Sequence, residues 1–147
     1  MIVVGIDPGT ASTGYGVVEA AGSRLRVLAA GVIETRAGTP LERRLAEIHA
    51  CAGDLLDDYR PAAMAIEELY FGANARTAFA VGQARGVVLL AAGQRGVPSR
   101  SYTPQQVKDA VCGHGRAAKE QVATMLATCS LAARPWPHTA SLTCCGV

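Results

Sequence analysis

Apolar positions run in two different periods along the chain. Residues 2–7 (IVVGID) form a short apolar run that ends in an acid, the pattern of a buried strand. Pro8-Gly9-Thr10 breaks it, residues 14–20 resume as a second strand, and residues 25–35 follow as a third after a turn at Ala21-Gly22-Ser23. Connections this short favour antiparallel hairpins. The period then changes to helical. Leu41, Leu45, Ile48, Ala52, Leu55 and Tyr59 share one face, so 40–59 is predicted to be an amphipathic helix, with Thr39 as its cap and Arg60-Pro61 as its end. Residues 62–67 (AAMAIE) form another apolar run that ends in an acid. A long Ala- and Gly-rich helix is expected over about 75–95, capped by Asn74 and open to a close neighbour. A short strand over 97–102, a helix over 104–112 capped by Thr103-Pro104, and a last helix from Ala117 complete the order β-β-β-α-β-α-β-α-α.

That order predicts an α/β fold with a mixed five-stranded sheet flanked by helices. The first strand is expected to be central, with the fourth beside it.

The chain has 147 residues, of which 50% are hydrophobic and 18% charged, so it is expected to be folded rather than disordered. Fourteen basic and 12 acidic residues leave a net charge of +2, which neither predicts nor excludes nucleic-acid binding. No apolar run approaches the ~20 residues of a membrane span, and the N-terminus lacks signal-peptide features, so a cytoplasmic location is expected. The cysteines (Cys51, Cys112, Cys129, Cys144, Cys145) form no CxxC pair, and their odd number argues against a disulfide framework. Three of the five lie within the last 19 residues, whereas all 12 acids occur at or before Glu120. From Ala123 onward the only charged side chain is Arg134, so the composition changes near residue 122.

Asp7 and Glu67 each end an apolar strand and precede loop-like sequence. On adjacent strand ends the two carboxylates would repel unless a cation lay between them. Mg²⁺ suits oxygen ligands, and two such ions about 4 Å apart would stabilise the attacking and leaving oxygens of phosphodiester hydrolysis. The alternative is that each acid caps a turn, since Asp before Pro-Gly is common turn chemistry. The loop Asp7–Gly14 can also cradle phosphate on its backbone N–H groups.

Tyr70 and Phe71 could stack bases beside such a site, or pack beneath the loop as core. Lys108, Arg116 and Lys119, with His114 between them, could contact phosphates, or form a solvated helix face. No zinc spacing, Ser/His/Asp pattern or Walker loop is present, and His49 and Cys51 are most simply structural.

Three separated motifs together resemble the RuvC-type Holliday junction resolvases: GIDPGTASTGYGVVE, AIEELYFGANARTAFAVGQARGVV and YTPQQVKDAVCGHGRAAKEQV. They span about residues 1–122, a resolvase domain followed by a divergent tail over 123–147. The resemblance implies an RNase H-like fold and a homodimeric, Mg²⁺-dependent endonuclease. Such an enzyme resolves four-way junction DNA by symmetric nicks in two strands of like polarity, working with the RuvA–RuvB branch-migration complex. It places Asp7 and Glu67 among the metal-binding carboxylates and Tyr70 at an aromatic position facing unpaired bases, with Phe71 next to it. It places Lys108 and Lys119 on the DNA backbone.

The family continues after Val122 into D-x-x-D-A-L or H-x-x-D-A-L. Here His138-Thr-Ala-Ser141 lies where that motif can be laid, giving a histidine ligand but a serine in place of the last acid. The tail reads as a frameshifted version of the family's C-terminus. The alternative expectation is therefore a catalytically impaired junction binder or gene remnant. An actin-like ATPase would need a second Asp-Gly-Gly phosphate loop, which is absent.

Overall fold

The computed structural model describes residues 1–22, 24–68, 75–113 and 116, without the side chains of 75–77 and 111. The helix expected from Ala117, the Asn74 cap and the boundary near residue 122 lie outside these residues.

Five strands form one sheet in the order β3-β2-β1-β4-β5. They are β1 (Ile2–Asp7), β2 (Ser12–Ala21), β3 (Arg24–Glu34), β4 (Ala63–Glu67) and β5 (Ser99–Tyr102). β1 is central, antiparallel to β2 and parallel to β4; β2–β3 is antiparallel and β4–β5 parallel. The sheet is mixed because β1 to β3 are joined by short turns, whereas β4 and β5 are each reached through a helix, as a parallel return requires.

Those helices are α1 (Leu41–Tyr59) and α2 (Ala75–Gln94); α3 (Pro104–Cys112) follows β5. Alternation along the strands turns Val4, Ile6, Thr13, Tyr15, Val17, Met64 and Ile66 inward on one face. Apart from the polar Thr13, these residues form one core with Ile48, Ala52, Leu55 and Leu56 of α1 and Ala84, Val88, Ala91 and Ala92 of α2. The small residues of α2 let it approach α1 closely. A Cβ on Gly53 would lie 2.6 Å from the Arg95 guanidinium, which makes paired hydrogen bonds of 2.8 and 2.7 Å to Asp57 and a third of 3.3 Å to the Ala91 carbonyl.

α1 starts one residue later than its sequence suggests. Pro40 occupies the cap position with ψ 144°, and no side chain caps the helix. Its carbonyl instead accepts from the N–H groups of both Arg43 and Arg44, while Thr39 is held in the preceding turn by a bond to the Arg36 carbonyl. Arg60 closes α1 in the left-handed region (φ 43°) ahead of Pro61. α3 begins as expected, with Thr103 and Gln106 forming a reciprocal capping box.

The opposite face of the sheet is built of small residues. Gly5, Gly14, Gly16, Ala30 and Ala65 floor a cavity of about 450 Å³, walled at one end by Asp7, Glu67 and Tyr102 and edged by Val107 of α3. Among the described residues, no helix is long and apolar enough to cross a membrane.

Candidate nuclease site

β1 and β4 run parallel in register, with Ile6 opposite Ile66 as the last apolar pair. Asp7 and Glu67 come next. The period of two that buries Ile6 and Ile66 against the helices turns both acids onto the cavity face. The two carboxyl groups interact directly. Burial pushes the Glu67 pKa up, the Asp7 charge pushes it further, and a side-chain hydrogen bond to Asp7 favours the protonated form. The pair is short of positive charge, and a hard divalent cation with oxygen ligands fits it on this ground. Among the described residues, no group of three or more His, Cys, Asp or Glu side chains is gathered to hold a metal, so the described share of the site is these two acids.

The loop after Asp7 is fastened from within. Thr13 is fully buried, and its hydroxyl accepts from the Gly9 N–H (3.2 Å) and donates to the Gly9 carbonyl (2.8 Å). A Cβ on Gly9 would lie 2.5 Å from the Ser12 carbonyl oxygen, so no other residue fits without a backbone shift. The Thr10 carbonyl accepts from the Thr35 hydroxyl (2.6 Å) and from Arg44 (2.7 Å), which also donates to the Thr35 hydroxyl (2.8 Å). The Gly9 amide, engaged by Thr13, is therefore not free to cradle a phosphate. The loop fixes the end of β1.

Asp7 and Glu67 are the sequence-predicted residues that the structure brings together. Lys108 is half-buried on α3, one residue past the cavity-edging Val107, and Arg116 is exposed. Tyr70, Phe71, His114, Lys119 and His138 lie outside the described residues. Three residues near the acids carried no sequence signal of their own. Tyr102 stands opposite Glu67 at the end of β5, and its carbonyl accepts from the Glu68 N–H at 2.7 Å. From the helices, Arg85 reaches the Glu67 carbonyl and Arg44 the Thr10 carbonyl in the loop after Asp7. Only the short register of β5 on β4 could have pointed to Tyr102.

An RNase H-like mixed sheet with acids at the ends of two parallel central strands defines a class of metal-dependent nucleases. Residues 3–143 match the family model "Crossover junction endodeoxyribonuclease RuvC". The chain is 51% identical over 138 residues to the crossover junction endodeoxyribonuclease RuvC of Moorella thermoacetica, spanning 93% of this chain and 83% of that one. It is 52% identical over 126 residues to the corresponding protein of Thermomicrobium roseum, spanning 86% and 77%. The structure of Thermus thermophilus RuvC in complex with a Holliday junction substrate superposes with a TM-score of 0.82 at 43% identity, covering 92% of this chain and 84% of that one. The chain belongs to the RuvC family of crossover junction endodeoxyribonucleases. The match reaches residue 143, well beyond the three motifs of residues 1–122.

Proposed function

We propose that this chain resolves Holliday junctions by Mg²⁺-dependent phosphodiester hydrolysis, with Asp7 and Glu67 as metal ligands. The observation that carries this reading is the placement of two acids on neighbouring parallel strand ends, lining one cavity, with the Asp7 charge raising the Glu67 pKa. Asp7 and Glu67 would hold divalent ions, two per subunit, which would supply electrostatic stabilisation of the charge that develops on the phosphoryl oxygens. The chain's own part is to present the acids side by side on two strand ends, with the backbone after Asp7 and at Glu67 held by hydrogen bonds.

Lys108, Arg116 and Lys119 would hold the DNA backbone by charge, and Tyr70 and Phe71 would stack on unpaired bases. Phosphate contacts set the register of the DNA on the protein, and the aromatic pair meets the open centre of the junction. His138 is the third metal-ligand candidate, on a divergent tail over 123–147. The working form would be a homodimer, so that two strands are cut together, acting in the cytoplasm with the RuvA–RuvB branch-migration complex.

A synthetic four-way junction tests the proposal. Magnesium-dependent paired nicking, abolished by Asp7→Asn, is expected; nicking that Asp7→Asn leaves intact overturns the assignment. A second reading, binding without cutting, is favoured by one feature: no acid follows Glu120. It predicts a stable junction complex that magnesium never converts to nicked product.

A further inference from the structure

The guanidinium of Arg85 lies beneath the strand end that carries Glu67. From α2, its Nη2 donates to the Ser101 hydroxyl at 2.5 Å, and its Nε approaches the Glu67 carbonyl at 3.4 Å. Ser101 pairs with Ile66, so its hydroxyl lies on the helix-covered face, while the Glu67 carboxylate points to the other. Arg85 therefore grips the backbone of Glu67 and the neighbouring strand from behind. It is half-buried, and among the described residues no carboxylate pairs with it.

We propose that Arg85 is a positioning residue for the metal site, setting the direction of the Glu67 side chain through its main-chain carbonyl. The inference rests on Asp7 and Glu67 being the metal ligands. Its physical basis is the strand end itself. The Glu68 N–H is held by the Tyr102 carbonyl at 2.7 Å, and the Glu67 carbonyl meets Arg85. Both sides of the Glu67–Glu68 peptide are then restrained, and the Cα–Cβ direction of Glu67 follows from that plane. A planar guanidinium spans two acceptors on adjacent strands at once; a lysine ammonium is a single point charge on a flexible stem. Arg44 instead holds the loop three residues beyond Asp7, through the Thr10 carbonyl and the Thr35 hydroxyl. Outer partners of this kind commonly govern ligand orientation and affinity at metal sites.

The test is Mn²⁺ binding to the DNA-free chain by calorimetry, with thermal stability and metal-free junction binding measured alongside. Arg85→Met is expected to weaken Mn²⁺ binding by about tenfold, the usual scale for loss of an outer partner. Arg85→Lys should fall between that variant and the parent, and junction binding without metal should be unchanged. Arg95→Met is the control for general destabilisation. It removes the Asp57 pair at the far end of α2 and should leave Mn²⁺ affinity alone. High Mn²⁺ should restore cleavage by Arg85→Met but not by Asp7→Asn. Unchanged Mn²⁺ affinity in Arg85→Met, with binding lost in Asp7→Asn, overturns the role of Arg85 alone. Equal weakening in Arg85→Met and Arg95→Met also overturns it, because the loss then tracks stability. Unchanged affinity in Asp7→Asn removes the ligand assignment beneath it. If Arg85→Met does not fold, Ser101→Ala, which deletes one of the two acceptors, takes its place with a smaller expected loss.

Discussion

Asp7 and Glu67 end two neighbouring parallel strands on the same cavity face, and burial together with the Asp7 charge raises the Glu67 pKa. Two acids placed this close cost the fold stability when both are charged. Neutralising one should therefore stabilise the metal-free chain. Glu67→Gln is expected to gain about 0.5–1 kcal/mol at neutral pH, a figure kept small because the pair is partly solvated. Thermal denaturation in chelator should show a higher melting temperature than the parent, together with lost junction cleavage. A variant that melts lower would mean that the pair is not under repulsion.

The same pair sets a pH dependence. The folded pKa of Glu67 lies above its ordinary 4.5, so folding favours the protonated form. The stability this group contributes is fully present below pH 4.5 and is lost as pH rises through the raised folded value. Denaturant titrations in chelator should show this loss, and Glu67→Gln should lack it. Metal binding requires the ionised pair and so releases a proton. Mg²⁺ affinity should therefore rise with pH over that window, and calorimetry in buffers of different ionisation enthalpy should detect the released proton.

The loop behind Asp7 offers a test that leaves the acids untouched. Thr13→Val keeps the shape of the side chain but leaves the half-buried Gly9 N–H and carbonyl without their Thr13 partner. The expected cost is about 1–3 kcal/mol, the range for buried groups left unpaired. Gly9→Ala drives a methyl group to 2.5 Å from the Ser12 carbonyl, and the loop must move. Cleavage should fall in both variants, while junction binding without metal persists.

Much of this arrangement is legible in the residues. Asp7 and Glu67 stand out because each closes an apolar run, and an acid there has to face a strand end. That β1 is central with β4 beside it follows from two hairpins and then a helical return, and the register agrees. Arg85 and Arg44 were not legible. Each sits among ordinary helix residues, and its partners are distant in sequence, 34 positions away for Arg44 and Thr10. Spacing along one helix carries no trace of such contacts. The engagement of the Gly9 amide is not legible for a related reason: a Gly/Thr-rich loop has the same composition whether its N–H groups face a ligand or a buried threonine. Thr39 failed as a cap because the extended ψ of Pro40 puts the proline itself at the helix boundary.

The tail carries the remaining prediction. Every acid of the chain lies at or before Glu120, so the stretch from Ala123 to Val147 offers no carboxylate to join Asp7 and Glu67. The motif D-x-x-D-A-L, which the resemblance places after Val122, would supply two. His138 contributes at most a neutral nitrogen ligand, and the Ser141 hydroxyl is a poor substitute for an anionic oxygen beside a hard cation. Two carboxylates alone leave a divalent ion with more water ligands, bound more weakly and oriented less firmly towards a phosphate. Rebuilding 138–143 as D-x-x-D-A-L should therefore raise the junction-cleavage rate by about 10²–10³-fold, the scale of restoring a principal source of transition-state stabilisation. Junction binding in chelator should not change, because the basic residues on α3 and after it are untouched. Sequencing the gene checks the origin of the tail independently: a shifted frame should yield an acidic pair followed by a small residue and leucine. If the rebuilt chain cleaves no faster than the parent, the two strand-end acids suffice, and the divergent tail is not a catalytic lesion.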